Sequence, residues 1–157
     1  MTATERAVEL AVAAARAAAD RKAHEILALD VSEQLVLTDV FVIASGTNER
    51  QVGAIVDAVE EQLREGGHKP LRREGERDAH WVLLDFGDII VHVMQAEDRV
   101  FYQLERLWKD GQVVPLPGIG EENAPAAHGD ADASVEPIDQ DEPLELDPQE
   151  DAAKVQL

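Results

Sequence analysis

The stretch that most constrains this chain runs Trp81-Val82-Leu83-Leu84-Asp85-Phe86-Gly87-Asp88-Ile89-Ile90-Val91-His92-Val93-Met94. Two apolar runs flank a Gly-Asp pair. Glycine supplies a positive φ at the first position of a two-residue turn, so the pattern predicts a hairpin with strands over 80–86 and 89–94. The turn sets the register: Phe86 faces Ile89, Leu84 faces Val91 and Val82 faces Val93. Side chains alternate along a strand, so these six share one face, and all are apolar. The other face carries Trp81 opposite Met94, Leu83 opposite His92, and Asp85 opposite Ile90. It mixes apolar and polar groups and could cover a second layer of core or meet a partner.

The remaining patterns supply the elements around this hairpin. Thr2 and Glu5 have the spacing of a capping box, and an Ala-rich helix follows to about Lys22, with Val8, Ala11, Val12, Ala15 and Ala19 in phase. A strand is expected over 26–31, with Leu27, Leu29 and Val31 pointing one way. A second strand is expected over 39–45, and its unbroken apolar run, Val40 to Ala44, is the signature of a central strand buried on both faces. Leu35-Val36-Leu37 either extends that strand or precedes it. Gly46 ends it, and Thr47 or Asn48 can cap a helix from Glu49 whose apolar stripe is Val52, Ile55, Val56, Val59 and Leu63. Gly66-Gly67 stops this helix. A short charged strand near 71–74 suits a sheet edge. After the hairpin, Glu97 and Asp98 open a last helix lined by Phe101, Leu104, Leu107 and Trp108 and closed by Gly111. The order α-β-β-α-β-β-β-α implies an α/β fold: a mixed five-stranded sheet flanked by helices, with a parallel crossover through the helix at 49–65 and a C-terminal hairpin and helix.

Composition divides the 157 residues in two. The net charge is −19. From Gly118 onward there are twelve acidic residues and one basic, with Pro125, Pro137, Pro143 and Pro148 and no aromatic residue. Such a segment buries too little apolar surface to offset its ordering entropy, so 1–117 is expected to be the domain and 118–157 a disordered acidic tail. The absence of cysteine excludes disulfides and thiolate chemistry. No apolar run approaches the ~20 residues of a membrane span, and the N-terminus lacks a signal-peptide pattern, so a cytoplasmic protein is expected. The acidic balance argues against sequence-specific DNA or RNA readout and favours a basic protein as partner.

His80, His92, Asp85 and Asp88 are the concentrated acid–base or metal-capable set, but His80 lies on the face opposite Asp85 and His92, and Asp88 sits in the turn. They do not converge as metal ligands must, and no metal or cofactor is expected. Ser45-Gly46-Thr47-Asn48 could hold an anion on helix amides, yet it has one glycine and no following lysine, unlike a P-loop. No serine occupies a nucleophile elbow. Arg50 opposes the dipole of its helix. It would either pair with Asp39 or a hairpin acid, or contact a partner.

Ser45-Gly46-Thr47-Asn48-Glu49-Arg50-Gln51-Val52, the run from Trp81 to Met94, and Tyr102-Gln103-Leu104-Glu105-Arg106-Leu107-Trp108 together resemble the ribosomal silencing factor (RsfS, Iojap-like) family. Leu29-Asp30-Val31 and Thr38-Asp39 fit its earlier strands. The resemblance spans about 4–110 and leaves the acidic tail outside. It implies a nucleotidyltransferase-like fold without catalytic acids, and a homodimer. It also implies binding to a large-subunit ribosomal protein of the uL-fourteen type, which blocks subunit joining and represses translation when nutrients are scarce. A steric blocker needs no reaction centre, and acidic charge speeds encounter with a basic partner. The second hairpin face, with Trp81, Leu83, Asp85, His92 and Met94, joined by Tyr102, is the expected partner-binding site. The rival readings are a divalent-metal-dependent nucleotidyltransferase using Ser45–Arg50 and Asp85–Asp88, and a ribosome-assembly adaptor working through its acidic tail.

Overall fold

The computed structural model describes residues 2–107 and 112–119. The expectations for Trp108, Gly111, the Leu107 side chain and the acidic segment beyond 119 lie outside the described residues.

The hairpin forms in the register read from its turn. Strand β4 (Trp81–Asp85) pairs antiparallel with β5 (Ile89–Gln95), matching Trp81 with Met94, Val82 with Val93, Leu83 with His92, Leu84 with Val91 and Asp85 with Ile90. Gly87 has φ 90°, as a primed turn requires, and its amide donates to the Asp85 carboxylate at 2.9 Å. Val82, Leu84, Ile89, Val91 and Val93 are buried in one core, with Phe86 packed at its margin.

The helices that cover this core are α1 (Glu5–Asp20) and α2 (Glu49–Glu65). In α2 all five stripe residues are buried, and Asn48 caps the helix by accepting the Gln51 amide at 2.9 Å. In α1 the capping box does not form. Thr4, not Thr2, is the N-cap, and its hydroxyl accepts the Ala7 amide. The cause is tertiary: Asp30 and Asp39 accept the amides of Ala3 and Thr4 at 2.8 and 3.0 Å, so the helix starts beyond them. The buried face of α1 includes Ala7, Leu10, Ala11, Ala14, Ala15 and Ala18, while Val8, Val12 and Ala19 are half-buried at its edge. Small side chains let this helix lie close to α2 and the sheet.

Strand β1 (His24–Asp30) runs antiparallel to β2 (Val40–Gly46), and β2 runs parallel to β5. The intervening α2, the short β3 (Arg72–Glu74) and β4 form the crossover. Every residue of β2 is buried, as its unbroken apolar run predicted. Leu35, Val36 and Leu37 precede β2 as loop, with Val36 and Leu37 exposed. Among the described residues the sheet has six strands rather than five, in the order β3-β4-β5-β2-β1-β6. The added β6 (Gln112–Val113) pairs with Leu29 and Asp30. Two residues carry no periodicity; the strand is held by pairing and by burial of Val114, whose amide donates to the Ala28 carbonyl.

The single C-terminal helix expected from Glu97 onward is two helices, α3 (Ala96–Tyr102) and α4 (Leu104–Leu107). Gln103 breaks them with φ 47° and ψ 53°. Arg99 supplies a physical reason. Its buried guanidinium donates to Ser45 Oγ at 2.7 Å and to the Glu105 carboxylate at 3.2 and 3.3 Å. Residues six apart lie about 120° apart around a straight helix and about 9 Å apart along it. The turn at Gln103 brings Glu105 back over Arg99. It also separates the expected stripe: Leu104 is buried, whereas Phe101 is 77% exposed.

Candidate docking face

The face of the sheet opposite α1 and α2 has its own core of Leu27, Leu29, Val31, Phe41, Ile43, Met94 and Leu104. Leu27, Leu29 and Val31 do point one way, into this layer. Leu35, Trp81 and Ile90 pack at its edge. Among the described residues, the loop at Leu35 and the helices α3 and α4 lie over this layer, and its rim reaches the surface along β4 and α3.

The six residues expected at a partner site separate by depth. Met94 is fully buried and His92 is 4% exposed, so both lie beneath the face. Trp81, Leu83 and Asp85 are half-buried on β4, and Tyr102 is 51% exposed on α3. A run of ring contacts joins the two depths. Phe41 meets His92 at 4.8 Å between centroids, Trp81 lies 6.0 Å from His92 and 5.1 Å from Tyr102, and Phe101 stands edge-on to Tyr102 at 4.9 Å. The exposed Val100 and Phe101 extend this surface. Sequence reasoning missed them because the 3.6-residue phase with Leu104 placed Phe101 on the inner side of a continuous helix.

Polar bonds fix the aromatic group. Trp81 Nε1 donates to His92 Nδ1 at 3.1 Å, which puts the neutral ring's proton on Nε2. Nε2 is buried with no partner among the described residues. Burial pushes the His92 pKa down to about 4, because a charged imidazolium there would lose its solvation. His80 behaves oppositely. Its exposed Nδ1 lies 2.9 Å from Asp98 Oδ2, and this hydrogen bond, with the carboxylate's charge, raises its pKa. The contact ties the start of β4 to the first turn of α3. Asp85 is engaged by the turn amide and by Arg72 at 3.7 Å.

The loop that could have held an anion is occupied by the chain itself. The Thr47 amide and hydroxyl both donate to Gln51 Oε1, at 2.7 and 3.0 Å, while Gln51 Nε2 donates to the carbonyls of Arg21 and Lys22. Ser45 Oγ accepts from Arg99. A Cβ added at Gly46 would stand 3.2 Å from the Val52 amide, so this turn packs directly on α2. Arg50 is exposed, and the acids expected to pair with it have other partners: Asp39 takes the Thr4 amide and Asp88 takes Arg6. Among the described residues, no three His, Cys, Asp or Glu side chains gather as a metal site.

A buried polar strut holds an aromatic surface of the kind that suits recognition. A family profile described as "Ribosomal silencing factor during starvation" matches residues 4–141. This chain belongs to the ribosomal silencing factor family. The match runs past the limit of about 110 read from the sequence and into the acidic segment. A ribosomal silencing factor from Halalkalibacterium halodurans is 39% identical over 111 residues, covering 71% of this chain and 95% of that protein. The maize chloroplastic protein Iojap is 32% identical, over 70% of this chain and 48% of its own. A mouse protein named for mitochondrial assembly of the ribosomal large subunit is 34% identical over 55% of this chain and 39% of its own. Among solved structures, a Chromobacterium violaceum protein superposes with a TM-score of 0.63 at 35% identity, covering 73% of this chain and 95% of that one. The mixed sheet flanked by helices is thus shared with solved members of the family. Among the described residues, no helix is long and apolar enough to cross a membrane.

Proposed function

We propose that this protein silences ribosomes by binding the large subunit through a basic ribosomal protein, of the uL-fourteen type, and obstructing the docking of the small subunit. On this reading it represses translation under nutrient limitation, acts in the cytoplasm as a homodimer, and catalyses no reaction. Its fold is a nucleotidyltransferase-like sheet whose anion loop is closed from within by Gln51. The observation that carries the reading is the Trp81–Tyr102 surface, a half-exposed aromatic pair. Aromatic side chains supply large contact areas at small entropic cost, and the chain's net charge of −19 favours a basic partner. Trp81, Leu83, Asp85 and Tyr102 form the contact, with His92 and Met94 acting from below by holding Trp81 in place.

The name of the mouse relative favours a role in large-subunit assembly as a second reading, and it uses the same partner. Subunit-joining light scattering separates the two, because an assembly adaptor leaves joining of mature subunits unaffected.

The test of the face uses Tyr102→Ala, since Tyr102 is exposed and its removal leaves both cores intact. Pelleting with large subunits is expected to weaken at least tenfold, a loss typical of an interface hot spot. Unchanged pelleting would rule this face out. Met94→Glu is not a surface test, because it would place a charge in the second core.

A further inference from the structure

We propose that the rim formed by the end of α2 and the edge strand β3 contacts RNA phosphates of the large subunit, beside the docking face. This rests on the subunit-binding reading above and adds a second, chemically opposite contact to it.

The first observation is a local inversion of charge. Arg64, Lys69, Arg72, Arg73 and Arg77 fall within fourteen residues that hold three acids, Glu65, Glu74 and Glu76. The rest of 1–117 carries eight basic residues against eighteen acidic ones. The second is geometry. Arg64, Lys69 and Arg73, with Glu60 and Pro70, line a groove of about 310 Å³ between α2 and the sheet edge. Arg73 is held there by Glu60 and Glu76. Arg64, Lys69 and Arg77 are exposed and make no ion pair among the described residues. Lys69 and Arg77 have no structural task, and Arg64 has only the small one of facing the negative end of the α2 dipole.

The third observation is continuity. Across the β3–β4 ladder, Arg72 pairs with Asp85 and Glu74 with Leu83, while Arg73 pairs with Leu84. Arg72 therefore lies on the same side as Leu83 and Asp85, one strand away from the docking face. Arg73 turns to the helical side, toward the groove. A protein that docks on a ribosomal protein meets the RNA in which that protein is bedded. The rim is placed to meet it.

The chain's large negative charge does not forbid such a contact. At physiological ionic strength the screening length is about 8 Å. Strands stand about 4.8 Å apart, so β1, four strands from β3, is roughly 19 Å away. Phosphate at the rim responds mainly to the charges of the rim itself, where Glu60, Glu74 and Glu76 pair with Arg72 and Arg73 and leave Arg64, Lys69 and Arg77 unpaired among the described residues. The contact reads no sequence, because phosphate contacts position a protein without selecting bases.

The test compares full-length wild type with the triple variant Arg64→Gln, Lys69→Gln and Arg77→Gln in large-subunit pelleting over a salt series. These side chains are exposed and unpaired, so the melting profile should be unchanged. Each phosphate contact contributes a slope of roughly 0.7 to 0.9 in log affinity against log salt. The variant is expected to bind about tenfold more weakly at low salt, with a slope shallower by about 2. A photo-crosslinking amino acid at position 69 is expected to label RNA. Equal affinity and slope for both proteins would overturn the proposal. Weaker binding with an unaltered slope, or labelling of ribosomal protein alone, would overturn the assignment to RNA. Failure of the wild type to pellet at all would remove the subunit-binding reading itself, and this contact with it.

Discussion

His92 offers a quantitative test of how the aromatic face is held. Its folded pKa is lowered to about 4 from the ordinary 6.5. As pH falls through 6.5, the unfolded chain takes up a proton that the folded chain refuses. Stability is lost across the window from 6.5 down to 4 and is fully present above it. Each unit of difference corresponds to a little over 1 kcal/mol, so the complete loss is about 3 kcal/mol below pH 4. By pH 5.5 the loss is about 1 kcal/mol. That pH stays above the isoelectric point near 4.4, where a protein without net charge tends to precipitate. The informative variant is His92→Asn. Its carboxamide oxygen can replace Nδ1 as acceptor for Trp81 Nε1, but it does not titrate. Urea unfolding followed by circular dichroism at pH 7.5 and 5.5 gives both stabilities. Loss of the ring lowers the variant's stability by an amount independent of pH. Wild type is expected to lose about 1 kcal/mol more than the variant between the two pH values. His80 contributes in the opposite sense, because its raised pKa gives stability that is present at low pH and lost as pH rises through that value. It is the same in both proteins and cancels in the comparison. Parallel pH profiles for wild type and variant would show that His92 is not held neutral by burial, and the reasoning would fail.

Two further perturbations probe the elements that present the face. Arg99→Leu removes the strut joining Ser45 to Glu105 and leaves that carboxylate without its cation. Breaking a buried pair in this way should cost about 3 kcal/mol in denaturant titrations and speed amide exchange across 100–106, whereas unchanged exchange would deny Arg99 its part in the turn. Asn48→Ala removes the cap of α2. A loss of about 1 kcal/mol is expected, lowering the melting temperature by several degrees, and an unshifted melt would show that the cap is dispensable.

The parts of the fold legible in the sequence are those governed by local periodicity and turn chemistry. Gly87-Asp88 fixes a register in which five residue pairs fall where the alternation places them. The stripe of α2 and its Asn48 cap follow from the 3.6-residue repeat and one amide acceptor. The all-apolar run of β2 implies a strand buried on both faces, and it sits between β5 and β1. The candidate site was legible in part for the same reason: alternation places Trp81, Leu83 and Asp85 on one side. It does not tell how deep each lies. Met94 and His92 share that side but fall under the cover of Leu104 and Trp81, which reach them through α4 and the hairpin partner.

The features missed are those set by partners far along the chain. Helix α1 begins at Glu5 because carboxylates 27 and 35 residues away hold the amides before it. The strand β6 exists because β1 leaves an open edge for two residues to pair with. The break at Gln103 accompanies a bond from Arg99 to Ser45, 54 residues distant, together with the return of Glu105. That break turns Val100 and Phe101 outward beside Tyr102. Taken alone, then, the sequence determined the hairpin, its register and the two amphipathic layers, since alternation and helical phase are properties of neighbouring residues. Only the tertiary structure decided which members of the second face reach solvent, because burial depends on what other segments lay across it.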